Sequence, residues 1–553
     1  MLRLFLPLLF ALAPAHAQNA PTPPPPGSIT GAVKDVDTGA PVRDAEVGLR
    51  AAAKAITAKT DSAGRYALRD VPPGEYRVGV STASQGQMGF GPSRTRLVSV
   101  APGQDVANID FGLFVFGQIS GKVVDENKEP LPDISVFQVA REYRYGALRY
   151  VFAGMARTDD RGEYVLQRIQ PGRPILLGAM KRVMKLDAIS DAPADPKLRK
   201  LATAPTFYPD APSPEGGQIL TLRSGEERRG IDFRLRRTPN YCADGVLTGA
   251  GGPAALSFWV EERQPASGRS GSGGLYVGAP SGKTGPDGKF RICDLHPGEY
   301  RFTAIDWPAG RDALPPFFGA ATLAITDQDG RDLRIGAMPK TSFRGVVAWD
   351  GAAPETPDEV KVSIDLAPMF RSYISGELRG PAPTATIPGD FSFPEVMIDD
   401  YELSVRGVPA GSYVKDITYG GNSILNKLFR PGSAMGEQGL RITIARDGGY
   451  IRANVADKDG NPVADTNVTI LPDSSLPDPE YAALIVSGQT NQMGRYRSGA
   501  LPPGKYYVLA SAVINDNSPE SVAKFRRART KAKEVEVRPG ATVQAELELV
   551  TIE

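Results

Sequence analysis

Histidine is scarce in this sequence, which limits the catalysis that the chain could support. Of 2 histidines in 553 residues, His16 lies near the N-terminus and His296 lies in the turn Leu295-His296-Pro297-Gly298. A zinc peptidase site needs more than one histidine ligand, and a Ser-His-Asp triad would have to use His296. We therefore predict that the protein is not an enzyme and that it uses no cofactor.

Two adjacent pairs of carboxylates are the remaining candidates for hydrolytic chemistry. Glycoside hydrolases use two carboxylic acids that flank the bond to be cleaved. The pairs in this chain, Asp159-Asp160 and Asp399-Asp400, lie at predicted turns. Aspartate is favoured in turns because it accepts hydrogen bonds from nearby backbone, and neighbouring residues of a strand point to opposite faces. We expect both pairs to be turn residues.

Three short turns carry aspartates at a spacing that calcium sites also use. Each has two aspartates two residues apart, followed by glycine: Asp35-Val36-Asp37-Thr38-Gly39, Asp327-Gln328-Asp329-Gly330 and Asp457-Lys458-Asp459-Gly460. None is followed by the bidentate glutamate of a complete EF-hand loop. Tight turns explain the same residues without a metal. We predict no metal site, and calcium binding at these turns stays an alternative.

A run of tyrosines and arginines between residues 141 and 152 is the best candidate for a binding surface. Its candidate binding residues are Tyr143, Tyr145, Arg149 and Tyr150. Aromatic rings flanked by cations can stack on sugars or contact acidic polymers. The alternative is a long hairpin whose rings pack across two strands. A basic segment, Lys524–Lys533, is either a solvated helix face or a contact for an anionic polymer.

The N-terminus has the features of an export signal. Arg3 precedes the apolar stretch Leu4 to Leu12, and Ala15-His16-Ala17 fits a cleavage site. Residues 1–17 are therefore predicted to be a cleaved signal peptide, followed by a proline-rich linker at residues 18–27. We expect the mature chain to be secreted, periplasmic or at the cell surface. No later stretch is long and apolar enough to predict a transmembrane segment.

Export changes the interpretation of the two cysteines. Cys242 and Cys293 fall in one predicted domain, and an oxidising compartment favours a disulfide between them. In the chain-entropy model, closing that loop stabilises the fold by about 4 kcal/mol. The alternative is two buried free thiols.

The elements that must position these residues are short strands joined by turns. In Thr60–Val80, two alternating apolar stretches are separated by Pro72-Pro73-Gly74 and preceded by the turn residues Asp61 and Gly64. This pattern predicts a β-hairpin. Its turn glycine recurs at Gly162, Gly288, Gly389 and Gly494. The chain is therefore predicted to be all-β, an array of about five β-sandwich domains, with one short helix near the C-terminus that begins at the cap Ser518.

The recurring motifs also predict domain boundaries. The predicted β-sandwiches lie at residues 28–115, 116–238 with an insertion at 181–217, 239–340, 341–446 and 447–553. The fourth is degenerate, since Asp399-Asp400 stands where the others have a Pro-Gly turn.

The combination of an opening h-x-G-x-V strand, T-D-x-x-G-x-Y and P-P-G-x-Y resembles the carboxypeptidase regulatory-like domain. The stretches that match best are Ile29–Val80, Ile119–Ala179 and Ile451–Ala510. The resemblance implies a transthyretin-like (prealbumin-like, Ig-like) β-sandwich, and the whole chain is similar to multi-repeat bacterial exported proteins. In metallocarboxypeptidases such a domain accompanies a separate catalytic zinc domain. The resemblance implies no catalytic residue, because its motifs consist of turn and core positions.

The near-equal numbers of basic and acidic residues indicate which classes of partner the chain can attract. The chain has 64 Lys and Arg against 63 Asp and Glu, so it has no overall field to attract nucleic acid, and we expect no nucleic-acid partner. Our leading hypothesis is a non-enzymatic, exported binding or spacer protein of the cell envelope, with an unidentified carbohydrate or protein partner. The alternative is an accessory or regulatory subunit of an envelope peptidase or glycoside hydrolase. The oligomeric state is left open.

Overall fold

The computed structural model describes residues 24–35, 38–51, 54–82, 90–92, 95–181, 188–262, 281–305, 317–351, 361–368, 383–431 and 439–552. Over these ranges the chain is mostly strand and forms five β-sandwiches, so the predicted all-β fold class is confirmed. The predicted signal peptide lies outside the described residues. Contacts divide the chain into two compact units: Met1–Ala83 with Pro92–Leu113, and Ser84–Gly91 with Phe114–Glu553. The first unit holds most of sandwich 1, and the second holds sandwiches 2 to 5.

The strands are numbered in chain order. Sandwich 1 contains β1 to β9, at Gly27–Asp35, Ala45–Ala51, Lys54–Lys59, Arg65–Val71, Gly74–Thr82, Phe90–Pro92, Arg96–Val100, Asp105–Val106 and Phe111–Val115. Sandwich 2 contains β10 to β19, at Gly117–Val124, Ile134–Arg144, Ala147–Arg157, Glu163–Ile169, Leu176–Lys181, Ala202–Thr203, Thr206–Phe207, Glu227–Arg228, Phe233–Arg234 and Arg237–Thr238. It also has single turns of 3₁₀ helix at Pro196–Leu198 and Pro214–Gly216.

Sandwich 3 contains β20 to β28, at Tyr241–Gly249, Gly252–Pro253, Ser257–Glu262, Ser281–Lys283, Lys289–Leu295, Gly298–Ile305, Phe317–Ile325, Gly330–Gly336 and Met338–Pro339. Sandwich 4 contains β29 to β36, at Thr341–Trp349, Lys361–Pro368, Thr384–Thr386, Gly389–Val396, Tyr401–Arg406, Tyr413–Tyr419, Asn422–Ser423 and Leu440–Ala445. Sandwich 5 contains β37 to β43, at Tyr450–Ala456, Asn467–Pro472, Val486–Gln489, Arg495–Arg497, Gly504–Ser511, Lys533–Val537 and Thr542–Glu548.

Helices occur mainly in sandwich 5. The predicted helix α2 spans Pro519–Ala528, and the Ser518 side chain accepts a hydrogen bond from the Ser521 N–H, as an N-cap residue does. A 3₁₀ turn at Arg529–Lys531 follows it. A shorter helix, α1 at Asp478–Ala482, was not predicted. In the part of the chain that the structure describes, no helix is both long enough and apolar enough to cross a membrane.

The sandwiches share one strand arrangement. The opening strand lies between a strand that follows the T-D-x-x-G turn and the closing strand of the same sandwich. In sandwich 1, β1 pairs antiparallel with β4 and parallel with β9. In sandwich 5, β37 pairs in the same way with β40 and β43. The degenerate sandwich 4 keeps this arrangement, with β29 between β32 and β36.

The hairpin predicted for Thr60–Val80 is wrong in its pairing. Both of its strands exist as β4 and β5, but they lie in different sheets. β4 pairs with β1, whereas β5 lies between β2 and β7. The Pro-Gly turn therefore carries the chain from one sheet of the sandwich to the other. Local alternation and turn residues predict strands, but they do not predict which strands pair.

The glycine of the h-x-G-x-V motif is required by close packing of backbone on backbone. A Cβ atom on Gly31 would lie 2.1 Å from the Ile109 carbonyl oxygen, and one on Gly121 would lie 2.0 Å from that of Ile231. No side chain fits at such distances. The tyrosine of T-D-x-x-G-x-Y bonds to the same carbonyl groups, since the Tyr164 hydroxyl donates to the Ile231 oxygen at 2.7 Å.

Each sandwich of the second unit encloses its own apolar core between two sheets. Representative buried residues are Ile119, Val136, Leu166 and Phe233 in sandwich 2, Leu247, Phe258 and Phe302 in sandwich 3, Val347, Ile364 and Ile442 in sandwich 4, and Ile451, Val468 and Val508 in sandwich 5. A further cluster lies outside the core of sandwich 5, where both helices cover its sheet at Leu471, Tyr481, Leu509, Val522 and Phe525.

Candidate functional site: contacts of sandwich 2 with its neighbours

The segment rich in tyrosine and arginine forms the end of a long hairpin, β11–β12. Its inner strand, β11, lies between β12 and β14, and β14 pairs with β11 only as far as Val139, so the end of the hairpin extends beyond β14. Arg144 lies opposite Ala147, so Tyr145 and Gly146 are the two turn residues. Their φ angles of 52° and 70° fit the type I′ turn, whose twist matches that of two antiparallel strands. We call residues 140–151 the hairpin tip.

The hairpin tip contacts sandwich 5 at the start of α2. The Tyr143 N–H donates to the Asn517 carbonyl at 2.7 Å, and the Arg141 guanidinium forms an ion pair with Glu520 in the first turn of the helix. The Tyr143 side chain packs against the apolar cluster under α1 and α2. Burial there, together with the charge of Asp478, raises the pKa of Tyr143.

The turn of the hairpin tip also contacts sandwich 4. The Tyr145 hydroxyl donates to the Glu402 carboxylate at 2.6 Å. A hydroxyl that donates to a carboxylate forms a stronger hydrogen bond than one between neutral groups. The tip of sandwich 2 thus contacts sandwiches 4 and 5.

The buried carboxylate and the buried hydroxyl of the hairpin tip are bonded to residues of sandwich 2. Glu142 is buried and accepts hydrogen bonds from Arg144 at 2.8 Å and Arg173 at 2.6 Å, and Arg149 lies opposite it in the strand ladder. Tyr150 is 1% exposed, and its hydroxyl is 3.2 Å from Glu215. Burial and this carboxylate raise the pKa of Tyr150 to about 12.

The structure thus brings the four predicted binding residues together on one hairpin. Tyr143, Tyr145 and Arg149 keep part of their surface exposed, whereas Tyr150 is buried. Each of the three tyrosines contacts another part of the molecule. Ligand binding by these residues stays a prediction.

A second contact joins sandwich 2 to sandwich 3 through residues 188–199, which we call the strap. It lies within the predicted insertion at 181–217. The strap adds a short parallel bridge to the outer edge of β24: the Ser190 N–H donates to the Arg291 carbonyl at 2.8 Å, and the Arg291 N–H donates to Ala188 at 2.7 Å. The Ala188 side chain packs against the core of sandwich 3.

Arg199, at the end of the strap, is the most completely bonded side chain of this contact. Its side chain is 0% exposed, and its guanidinium binds both carboxylate oxygens of Asp329, at 2.6 and 2.8 Å. The remaining N–H groups donate to three backbone carbonyls, those of Pro193, Ala194 and Asn240. All five donors of the guanidinium are used, which a buried arginine requires.

The predicted disulfide is present beside this ion pair. Cys242 of β20 and Cys293 of β24 are bonded to each other. The backbone N–H of Cys242 donates to the Asp329 carboxylate at 2.9 Å, so the carboxylate that holds Arg199 also contacts the disulfide-bonded strand.

A third contact joins sandwiches 3 and 4 and uses a predicted carboxylate pair. Arg301 donates to Asp399 at 2.7 Å, and Asp399 is 1% exposed. Burial raises the pKa of Asp399, although the charge of Arg301 opposes this effect. Asp400 forms a separate ion pair with Arg430. Asp399 lies between β32 and β33, as a turn residue does, but its carboxylate contacts sandwich 3, which the sequence did not predict.

Two other acidic turns, at Asp159 and Asp457, use their carboxylates for backbone contacts, whereas Asp329 of the second candidate calcium turn binds Arg199. Asp159 accepts the N–H groups of Arg161 and Glu163, and Asp457 accepts those of Asp459 and Asn461. Asp37, of the first candidate calcium turn, lies outside the described residues. Among the described residues, no group of three or more His, Cys, Asp or Glu side chains is placed to hold a metal ion.

His296 lies in the turn before β25, as its sequence predicts. Its carbonyl accepts a hydrogen bond from the Tyr300 hydroxyl at 2.8 Å. The tyrosine hydroxyls of the other Pro-Gly-x-Tyr turns make the same bond, Tyr76 to Pro72 and Tyr506 to Pro502.

Comparison with known proteins places sandwich 1 in a sequence family. Residues 28–113 match the model of the carboxypeptidase regulatory-like domain, which confirms the resemblance for this sandwich. A comparison with curated proteins finds no match.

Several solved structures of bacterial proteins align with the chain at low identity. The Bacillus anthracis TIE protein is 11% identical over 78% of this chain and 73% of that protein, with a TM-score of 0.16. The full-length major pilin SpaD from Corynebacterium diphtheriae is 12% identical over 57% and 98%, with a TM-score of 0.16. BcpA, the major pilin subunit of Bacillus cereus, is 11% identical over 56% and 99%, with a TM-score of 0.14. Such TM-scores support no argument about this chain.

Proposed function

We propose that the protein is an exported, non-catalytic binding and spacer protein of the cell envelope. In this proposal sandwiches 2 to 5 act as one braced body. The observation that carries the proposal is the contact of the hairpin tip with sandwich 5, which joins Arg141 to Glu520 across 379 residues of sequence.

A spacer must keep its ends at a fixed separation, and this requires contacts beyond the covalent links between domains. The strap supports such rigidity between sandwiches 2 and 3, and Arg301 with Asp399 does so between sandwiches 3 and 4. The hairpin tip then links sandwich 2 with sandwiches 4 and 5. Sandwich 2 is therefore held to sandwiches 4 and 5, which do not follow it directly in sequence.

Export is supported by the signal-like N-terminus and by the disulfide, because disulfides persist in oxidising compartments. N-terminal sequencing of the protein recovered from its envelope fraction is expected to begin at Gln18. Recovery of the intact N-terminus from the cytoplasm would argue against export.

Distances between sandwiches 2 and 5 test the braced body. Spin labels on E129C and K458C, both exposed turn positions, are expected to give a narrow distance distribution by pulsed electron resonance. The double variant R141A/Y145F removes the ion pair and the hydrogen bond to Glu402, so the distribution is expected to broaden. R157A is the control, because Arg157 pairs with Asp133 inside sandwich 2. Equal distributions in all three proteins would exclude a bracing role for the hairpin tip.

The binding partner in this proposal is a carbohydrate or a protein at the exposed part of the hairpin tip. Tyr143, Tyr145 and Arg149 supply the rings and the cation, and Tyr150 is left out because it is buried. A glycan array and a pull-down from envelope extracts, each repeated with R149A, identify the partner. Absence of any R149A-sensitive ligand would leave only the spacer role.

Release of products from peptides or glycans, abolished by H296A or D159N, would overturn the non-catalytic assignment.

A further inference from the structure

The disulfide of sandwich 3 lies beside the residues that hold the strap of sandwich 2. Cys242 is 0% exposed and Cys293 is 6% exposed. The strap pairs with β24 at Arg291, two residues before Cys293. The Arg291 guanidinium lies between the disulfide and the strap. Its Nη2 atom is 3.8 Å from the Cys242 sulfur and 3.4 Å from the Pro193 carbonyl of the strap.

Two further contacts connect the strap to the disulfide. Arg199 binds both oxygens of Asp329, and Oδ1 of the same carboxylate accepts the Cys242 N–H. Asn240, whose carbonyl accepts from Arg199, bonds through its side chain to Asp294, the neighbour of Cys293. Both cysteine-bearing strands are therefore bonded to groups that hold the end of the strap.

We propose that the strap is a gate over the Cys242–Cys293 disulfide: while docked it shields the disulfide from thiol exchange, and the intact disulfide in turn keeps the strap docked. This device goes beyond the spacer role and does not depend on it.

The chemistry that the gate prevents is thiol–disulfide exchange with a dithiol. One thiolate of the dithiol attacks a cysteine sulfur, the S–S bond breaks, and a mixed disulfide forms. The second thiolate then displaces that cysteine, so the dithiol becomes a cyclic disulfide. The dithiol gives an electron pair and two protons to Cys242 and Cys293, which become thiols. The first attack needs access to a sulfur atom, and the docked strap and the sandwich core deny that access.

Besides this kinetic shielding, strap docking and the disulfide are coupled at equilibrium. If the disulfide strengthens strap docking by some factor, docking must stabilise the disulfide against reduction by the same factor. The proposal therefore predicts two observations, one at the sulfur atoms and one at the strap.

The first experiment measures reduction of the folded full-length protein by dithiothreitol, followed by alkylation and mass spectrometry. R199A removes the buried anchor of the strap, and we expect its disulfide to be reduced about tenfold faster or more than in the unchanged protein. R236A is the matched control, because this arginine of sandwich 2 pairs with Asp210 at an exposed site, with side chains 60% and 45% exposed. Its rate is expected to equal that of the unchanged protein.

The second experiment measures hydrogen exchange at the amides of Ser190 and Arg291 in C242S/C293S. We expect faster exchange at these two amides and unchanged exchange in the strands of sandwich 2. If R199A does not fold, D329N replaces it, since the amide keeps an acceptor for Cys242 but loses the ion pair. Equal reduction rates in R199A and the unchanged protein, with the strap shown by hydrogen exchange to be released, would overturn the proposal. So would unchanged exchange in C242S/C293S.

Discussion

The residues that recur between the sandwiches make backbone contacts. The Thr158 hydroxyl of T-D-x-x-G-x-Y donates to the Leu131 carbonyl at 2.7 Å and accepts from the Ile134 N–H at 2.9 Å. Thr60 and Thr490 make the same two bonds in sandwiches 1 and 5. In sandwich 2, for example, Thr158 follows the edge strand β12 and bonds to the first residue of the adjacent strand β11. The motif specifies a fold because its side chains bond to backbone N–H and C=O groups, which need partners when they are buried.

Sandwich 3 offers a matched pair of glycines for testing this packing. A Cβ atom on Gly245 would lie 2.2 Å from the Leu333 carbonyl, whereas one on Gly251 has no atom within 4 Å. We expect G245A to lower the free energy of unfolding by about 1–3 kcal/mol, the usual cost of overpacking. G251A is expected to change it by less than about 0.5 kcal/mol. Denaturant unfolding of both variants measures the difference, and equal effects would show that the close approach is not needed.

Asp329 makes docking of the strap depend on pH. The hydrogen bonds from Arg199 hold the pKa of Asp329 below its ordinary value of 3.8, although burial opposes them. A carboxylate with a lowered folded-state pKa stabilises the folded form above its unfolded-state pKa, and this contribution is lost as the pH falls through the folded-state value. We therefore expect the strap to stay docked at neutral pH and to loosen below pH 3.8.

Hydrogen exchange at Ser190, compared between neutral and acidic pH after correction for the intrinsic rate, measures this change. D329N is the reference for a released strap, because its amide does not titrate in this range and its Ser190 amide is expected to exchange fast at both pH values. The same pH dependence in D329N would assign the effect to another group.

At the scale of elements, sequence patterns predicted the strands, the turns, helix α2 and the disulfide. Each follows from nearby residues or, for the disulfide, from cysteine count and compartment. Strand pairing was not predictable in this way, since β4 and β5 adjoin in sequence but belong to different sheets. The contacts between sandwiches were also missed, because each depends on single side chains far apart in the chain. Arg199 lies in an exposed polar segment and has the sequence pattern of a solvated residue.

Helix α2 is the element that receives the hairpin tip, so its stability bears on the brace. The Ser518 hydroxyl caps α2 by accepting the Ser521 N–H at 3.1 Å. We expect S518A to destabilise the helix by about 1 kcal/mol, as loss of an N-cap does. The Tyr143 amide donates to the carbonyl of Asn517, the residue before the cap. The hydrogen-exchange rates of the α2 amides and of the Tyr143 amide should therefore increase together. S475A, an exposed serine of the same sandwich, is the control. A change in α2 alone would show that the tip does not depend on the helix.

At the scale of the whole molecule, the two compact units predict two unfolding transitions. A Cβ atom on Gly31 would lie 2.1 Å from the Ile109 carbonyl within sandwich 1. G31A is therefore expected to lower the temperature of one calorimetric transition and to leave the other unchanged. G245A is the converse control, because Gly245 belongs to the second unit. A single transition that moves with either substitution would contradict independent unfolding.

The contact between Arg141 and Glu520 also sets an order in time. During synthesis, sandwich 2 is complete long before α2 exists, because 379 residues separate the two partners. Until then Arg141 and Tyr143 lack their contacts with sandwich 5. A nascent chain that stops before Ser518 keeps every strand of sandwich 2 but leaves Tyr143 without the helix that covers it. In a chain truncated before Ser518, Arg141 also lacks the carboxylate of Glu520 that neutralises its charge.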